Sequence, residues 1–200
     1  MKQLYQRHPS DSEAGVFYSL TLVATGMMAN DKSYTREKEA AQILNRVLAR
    51  EPQHPGVTHY IIHSYDYPAL AQLALPAARS YAKIAPASAH AQHMPSHIFT
   101  RLGLWPEGIR SNLDAKAAAK AFAVRNRMSG AWDEQLHAMD YLAYAYLQRA
   151  QDKEAREVLE ELRKLPSVEP QSFVAAYSEN GRAEDALRIG IDDCFHEALR

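Results

Sequence analysis

The sequence predicts an all-α protein made of stacked helical hairpins, and two periodic features point to it. Pro52 and Pro86 stand 34 residues apart, and each follows one amphipathic segment and precedes another. Further along, residues 142–159 and 173–190 superpose with small residues and a tyrosine at matching places. The small residues let paired helices approach closely, and the tyrosine fills the space between hairpins. A repeat of this length is typical of helix–turn–helix units stacked side by side.

Five hairpins follow from the apolar periodicity and from the turn residues between the helical segments. Their first helices are predicted at 12–29, 56–66, 89–103, 134–150 and 170–180. The partner helices are predicted at 35–50, 68–84, 105–126, 152–164 and 182–199. Pro68 suits the first turn of its helix, because a missing N–H costs nothing there. A single repeat domain, residues 1–200, accounts for the whole chain.

Three places depart from the regular repeat. Pro9 and Pro52 are 43 residues apart, so the first hairpin is predicted to carry an inserted loop at 27–34. The third partner helix runs into an irregular linker at 126–133, which blurs the register of the helix that follows. Residues 2–9 look like the end of an earlier partner helix and its closing proline. The chain is therefore expected to be a fragment or a short relative of a longer array, in which each unit contacts only its neighbours.

These residue patterns resemble the tetratricopeptide repeat (TPR) family over nearly the entire chain, and Tyr177, Gly181 and Ala186 are the most typical positions. The resemblance implies a right-handed superhelix of about five hairpins, in which each first helix lines a concave surface. Residues 54–112 also resemble a block found in bacterial TPR proteins, a block with no known activity. The resemblance therefore supports the fold and names no substrate.

Composition narrows the partners and the location. Lys and Arg number 23 against 24 Asp and Glu, so a net charge of −1 gives no broad attraction to nucleic acid or to anionic membranes. The N-terminal segment lacks the apolar core of a signal peptide, and no apolar run approaches the ~18 residues that span a bilayer. Cys194 is the single cysteine, which excludes an intramolecular disulfide and fits a reducing compartment. A cytoplasmic location is expected.

Histidines are concentrated in the middle of the chain, where six of the nine lie between positions 54 and 97. His59 and His93 are 34 residues apart, and so are His63 and His97, which matches the spacing of the prolines. Within each helix the two histidines are i and i+4 neighbours and share one face. If the first helices line one surface, as the TPR resemblance implies, both pairs face the same groove.

These four histidines are the principal predicted ligands of a metal ion. Three further ligands are predicted because they lie on or near the same helical stripes: Asp66, His90 and His137. Other polar side chains are predicted to line the groove or to orient the imidazoles: Arg101, Asp140 and Tyr144. The positions on the 134–150 helix depend on its register, in which His137 is aligned with His90.

Pro95 stands inside the histidine segment, where a regular helix interior would reject it. It is expected either to start a helix near Met94 or to kink one. In both cases the carbonyl of Ala91 is released, and His90 and His93 turn relative to His97. A deformed turn beside a ligand cluster is typical of a functional site.

Imidazole binds Zn, Cu, Fe and Ni well, while Ca and Mg prefer oxygen ligands, so the predicted cofactor is one of these four divalent transition metals. The sequence does not choose among them or between one ion and two. The glutamate of an H-E-x-x-H metalloprotease is replaced by Tyr60 in one pair and by Met94 in the other. A hydrolytic or oxidative reaction stays open, and no catalytic residue is assigned.

Two alternatives to metal binding remain at this stage. In the first, the imidazoles bond to Asp66, Tyr60, Ser64 and Ser96 and only stabilise hairpin packing. In the second, the concave groove receives a peptide or a partner helix, which is the commonest use of such arrays. The chain is then a protein–protein interaction scaffold, and the histidines and tyrosines act as hydrogen-bonding and stacking groups.

Overall fold

A computed structural model describes residues 1–29, 31–165 and 167–169 of the chain. Within that part, helices alternate with short turns, and two short strands stand before and after the last two helices. The elements are α1 (Lys2–Arg7), α2 (Ser12–Ala29), α3 (Thr35–Leu48), α4 (Pro55–Ser64), α5 (Ala71–Ile84), α6 (Ala89–His93), α7 (Pro95–Arg101), α8 (Trp105–Arg125), β1 (Ala131–Trp132), α9 (Asp133–Gln148), α10 (Asp152–Arg163) and β2 (Val168–Glu169).

The helices form four hairpins in the described part of the chain, and the all-α prediction is confirmed. The hairpins are α2–α3, α4–α5, α6/α7–α8 and α9–α10, with each helix packed on the next. Helix α1 precedes them where the sequence predicts the end of an earlier helix. The fifth predicted hairpin, 170–199, lies outside the described residues.

Two details differ from the sequence prediction. Helix α5 begins at Ala71 instead of Pro68, because a turn comes first in which the Leu70 N–H donates to the Tyr67 carbonyl at 2.9 Å. The linker after α8 contains strand β1, which pairs in parallel with β2 through Ala131 and Val168. A two-residue strand leaves no periodic signal, so sequence patterning could not find it.

The apolar core runs along the hairpins, and its largest cluster holds the histidine segment in place. Met94 and Ile98 from α6/α7 are fully buried against Ile62 of α4. Small residues of α5 fill the other side of this cluster: Ala71, Ala74 and Ala78. Because the apolar faces of α4 and α7 are fixed in this way, the histidines on their other faces are held at defined positions.

Pro95 divides the third first helix, as its chemistry predicts. Helix α6 ends at His93, and α7 begins at Pro95, where the missing N–H is harmless. The Ser88 hydroxyl caps α6 by accepting a hydrogen bond from the Ala91 N–H at 3.2 Å. Met94 between the two helices keeps helical dihedral angles, so His97 still follows His93 by about one turn.

None of the helices in the described ranges is both long enough and apolar enough to cross a membrane.

Candidate metal centre

A first group of three histidines joins α4 and α6. His59 and His63 lie one turn apart on α4, and His90 comes from the start of α6. Nε2 of His59 lies 3.0 Å from Nε2 of His63 and 3.2 Å from Nε2 of His90. One nitrogen of each ring lies within 4.8 Å of the other two. Three imidazole nitrogens therefore converge; we call these residues the first trio.

A second trio joins α6, α7 and α9. Nε2 of His93 lies 3.0 Å from Nε2 of His97, and the ring centroids of His93 and His137 are 4.2 Å apart. Here too, one nitrogen of each ring lies within 4.8 Å of the others. Each i, i+4 pair thus stays together and takes its third nitrogen from another first helix. The structure brings all six predicted histidine ligands into these two trios.

The two trios are neighbours on the surface formed by the first helices. The ring centroids of His63 and His97 are 5.9 Å apart, and those of His90 and His93 are 6.3 Å apart. The 34-residue repeat in the sequence therefore places equivalent pairs side by side, one in each trio.

Asp66 was predicted as a ligand, but in the structure its carboxylate contacts the imidazole of His97, on the side opposite to the converging Nε2 atoms. Its Oδ2 accepts a hydrogen bond from Nδ1 of His97 at 2.9 Å, and its Oδ1 accepts one from Nε of Arg101 at 2.8 Å. Burial opposes ionisation of this carboxyl, yet the bonds from His97 and Arg101 hold its pKa below the usual value. Asp66 is therefore a carboxylate that orients His97, as outer partners of metal-binding histidines commonly do.

Two further outer partners escaped the sequence analysis. Nδ1 of His93 donates to Oδ1 of the buried Asn112 at 2.7 Å, and the Asn112 amide nitrogen donates to the Gly108 carbonyl at 2.9 Å. Glu134 places Oε1 3.4 Å from Nδ1 of His90. Asn112 lies on a partner helix, outside the histidine stripes, and only tertiary packing brings it to His93. Glu134 precedes His137 by three residues on α9, and the packing of α9 on α6 brings it to His90.

Burial keeps three of the histidines neutral. Removal from water, followed by the charges of neighbouring histidines, lowers the pKa of His93 to about 2 and that of His59 to about 3. The same desolvation, with the charge of His97, lowers the pKa of His63 to about 4. Neutral imidazole is the form that binds a metal ion, so these rings need not lose a proton first.

A pocket of about 310 Å³ opens beside the second trio. Its lining contains the three side chains that were predicted for the groove, together with Asp66, His97, Thr100 and Tyr141. Arg101 and Tyr144 are exposed there, whereas His97 is partly buried at the pocket wall. The predicted groove residues thus lie next to the imidazoles without contacting an ion-binding nitrogen.

Tyr141 is the aromatic residue that the sequence analysis missed. Its ring centroid lies 4.6 Å from that of His93 and 5.3 Å from that of His97. It follows His137 by four residues on α9, so the i, i+4 rule could have found it once the register was known. Asp140 and Tyr144, which were aligned with His93 and His97 instead, line the pocket.

The packing alternative finds partial support. Tyr60 stacks on His59 with ring centroids 5.0 Å apart, and Asp66 does bond to an imidazole. The two serines do not: the Ser64 hydroxyl donates to the Tyr60 carbonyl at 2.7 Å, and the buried Ser96 hydroxyl has no partner in the described part of the chain. Stacking, the carboxylates of Asp66 and Glu134 and the amide of Asn112 leave the converging Nε2 atoms unexplained.

The nitrogen geometry fits a transition metal ion. A tetrahedral ion with Zn–N bonds of 2.0–2.1 Å holds its nitrogen ligands about 3.4 Å apart. The Nε2 atoms of His59 and His63 and those of His93 and His97 stand 3.0 Å apart. A small movement of each ring brings these pairs to ligand spacing.

Asp66→Asn should weaken metal binding at the second trio by about 10- to 100-fold, which is typical for loss of an outer carboxylate. The amide neither carries the charge that stabilises the His97 ligand nor pairs with Arg101. Asp140→Asn is the matched control, because its carboxyl lines the same pocket and its pKa is raised by burial, with no histidine among the causes. Calorimetric titration with Zn²⁺ measures both affinities; equal affinity in the two variants contradicts the role assigned to Asp66.

Comparison with known proteins identifies the fold. No family model and no curated protein sequence matches the chain. Among solved structures, MamA 41-end from Desulfovibrio magneticus RS-1 is similar with a TM-score of 0.62 and 16% identity over 82% of this chain and 80% of that one. A Podosopora anserina protein, described as a kinesin light chain with nearly identical TPR-like repeats, is similar with a TM-score of 0.64 and 19% identity over 96% of this chain and 90% of that one.

At such low identity the likeness carries the architecture and leaves the chemistry of the site to its own residues. The hairpin order, the packing of successive first helices and the similarity to TPR-like structures agree with one another. The chain has a TPR-like all-α superhelical fold.

Proposed function

We propose that this TPR-like protein binds divalent transition metal ions through the histidines on its first-helix surface. The observation that carries the proposal is the contact between His93 and His97, whose Nε2 atoms lie 3.0 Å apart. The two nitrogen atoms attract or repel each other depending on the tautomers, that is, on which nitrogen of each ring bears the proton.

The partners of the Nδ1 atoms decide the tautomers. Oδ1 of Asn112 must accept from His93, because the Asn112 amide nitrogen is already donating to the Gly108 carbonyl. The ionised Asp66 likewise accepts from His97. Both protons are therefore on Nδ1, and in the neutral rings both Nε2 atoms point lone pairs at each other. Two facing lone pairs at this distance repel each other, and a cation between them would turn the contact into an attraction.

A proton and a metal ion are the two cations that fit. A proton bridges only two nitrogens, and it would place a charge beside His93, whose burial lowers its pKa to about 2. The second trio offers a third nitrogen, from His137, within 4.8 Å of the others. Three converging imidazoles match the needs of a metal ion better than those of a shared proton.

The donor set narrows the metal to those that prefer imidazole, namely Zn, Cu, Fe and Ni. Three protein ligands leave one coordination position for water or for a substrate, as in catalytic sites. If the protein is a metalloenzyme, hydrolytic or oxidative, the adjacent pocket holds the groups that would act on a bound molecule, Arg101 and Asp140.

Elemental analysis of the untagged protein, purified without chelators, tests the proposal. We expect at least one equivalent of Zn, Cu, Fe or Ni per chain, and we expect the chelator-stripped protein to regain it from Zn²⁺ or Cu²⁺. Absence of metal after purification together with no uptake on titration would refute the proposal. Mg²⁺ serves as the control ion, because it prefers oxygen ligands.

The scaffold function is the second candidate, and the fold similarity supports it more directly than it supports metal binding. The pocket beside the second trio mixes two tyrosines with the exposed guanidinium of Arg101, which suits a peptide with aromatic and acidic side chains. A peptide or helix bound there would lie along the first-helix surface.

Comparison of two exposed aromatic residues tests this candidate. Tyr144→Ala should lose a partner that the wild-type protein retains, without a change in metal content. Phe17→Ala removes a similarly exposed ring that is 50% accessible on α2, outside the pocket, and should retain the partner. Equal retention by both variants would contradict the pocket as the contact surface.

A further inference from the structure

We infer that the six histidines hold two metal ions in adjacent positions, one in each trio, so that the site is dinuclear. The inference rests on the proposed metal-binding function and goes beyond it in the number of ions, their division among the ligands and the ligand that lies between them.

The six histidines divide into two separate sets of three ligands. Within the described residues, the ion-binding groups are the two trios, and no histidine belongs to both. His90 and His93 are three residues apart on α6, yet His90 turns to the α4 pair and His93 turns to His97. His97 follows His93 by four residues across the start of α7 at Pro95, and its Nε2 lies 3.0 Å from that of His93. Local backbone geometry thus divides one histidine segment between two centres.

A single ion does not satisfy this arrangement. Ligands of one tetrahedral ion stand about 3.4 Å from one another. Neighbouring rings inside a trio have centroids 4.2–5.0 Å apart, whereas the neighbouring rings of different trios have centroids 5.9 Å and 6.3 Å apart. An ion bound to one trio therefore leaves the converging nitrogens of the other trio without a cation. Two ions would provide one cation for the nitrogens of each trio.

Charge balance indicates what lies between the ions. Two divalent ions bring four positive charges, and two carboxylates, Asp66 and Glu134, contact the histidine ligands. Arg101 partly offsets Asp66, so the centre keeps a large positive excess. Each ion also has an open coordination position. A small bridging anion, such as hydroxide, would complete both coordination shells and reduce the charge.

Metal counting in matched variants tests the inference. Wild-type protein, His63→Gln and His97→Gln are stripped with chelator, loaded with excess Cu²⁺ and desalted before elemental analysis. We expect two equivalents in the wild type, one in each single variant and none in the double variant. His8→Gln is the control, because His8 is an exposed histidine outside both trios, and it should keep two.

Electron paramagnetic resonance of the same samples tests adjacency. Wild-type protein with two Cu²⁺ should give a broadened spectrum with a half-field transition, or a loss of signal through coupling, whereas each single variant should give the spectrum of an isolated Cu²⁺. Far-UV circular dichroism of each variant checks that the helices are retained. The metal count and the spectrum of the wild-type protein together decide the matter if a variant does not fold.

The outcomes separate the two proposals. No bound metal in the wild type overturns the proposed function itself. One equivalent in the wild type, or two equivalents with the spectra of two isolated ions, leaves metal binding intact and overturns the dinuclear centre.

Discussion

Adding Zn²⁺ at a hundred times its dissociation constant should raise the free energy of unfolding by about 2.7 kcal/mol for each ion bound. We expect the ions to bind the folded chain, because only folding brings together nitrogens from α4, α6, α7 and α9. For a chain of this size, one ion corresponds to a rise of roughly 5 to 10 °C in the melting temperature, and two ions to about twice that. Differential scanning calorimetry with and without chelator measures the rise.

The control for this experiment is the variant that lacks one histidine of each trio, His63→Gln with His97→Gln. Its melting temperature should not respond to Zn²⁺, while His8→Gln should respond as the wild type does. A wild-type melting temperature that Zn²⁺ leaves unchanged would contradict metal binding by the folded chain. An equal rise in the double variant would show that the ions bind elsewhere.

The metal-free protein should lose much of its stability when the pH falls from 7 to 5. Burial lowers the folded-state pKa of His59 to about 3, of His63 to about 4 and of His93 to about 2, below the unfolded value near 6.5. Below pH 6.5 the unfolded chain therefore binds protons that the folded chain refuses, and the free energy of unfolding decreases. The loss is on the order of 2 kcal/mol per histidine by pH 5.

Urea unfolding of the chelated protein at pH 7 and pH 5 measures this loss. Three such histidines together approach the whole stability of a typical domain, so we expect unfolding midpoints to collapse between these pH values. The variant His63→Gln should be less sensitive to acid than the wild type, because one buried imidazole is gone. Equal midpoints at both pH values for the wild type would show that the three rings are not buried in neutral form.

Much of the fold was predictable from the sequence, because hairpin repeats leave strong periodic signals. The four hairpins in the described part of the chain lie where apolar spacing and turn residues place them, and most helix ends agree to within two or three residues. Pro95 was informative for the same reason: a residue that cannot donate an N–H fixes where a helix begins.

The sequence predicted which histidines belong to the candidate site, but not which of them lie close to one another. The 34-residue spacing shows which histidines occupy equivalent repeat positions, and all six candidates do come together. Equivalent repeat positions do not give the distances between the rings, however, because the rotation between successive hairpins decides which imidazoles come into contact. The pairing of His90 with the α4 histidines, and of His137 with His93, depends on that rotation.

The outer partners could not be found from the sequence for a related reason. Asn112 lies on a partner helix, outside the periodic stripe of the first helices, and a single buried asparagine has no pattern of its own. Asp66 was recognised as part of the site, but only side-chain positions distinguish a ligand from a residue that orients one. Asn112 and Asp66 leave little trace in the sequence pattern, yet their contacts decide which nitrogen of His93 and His97 bears the proton.

X-ray absorption at the metal edge of the Zn²⁺- or Cu²⁺-loaded protein tests the central claim most directly, since it reports the atoms bound to the ion. The arrangement of His93, His97 and His137 predicts imidazole scattering from about three nitrogens per ion at about 2.0–2.1 Å, with oxygen completing the shell. A shell of oxygen atoms alone, with no imidazole scattering, would contradict it.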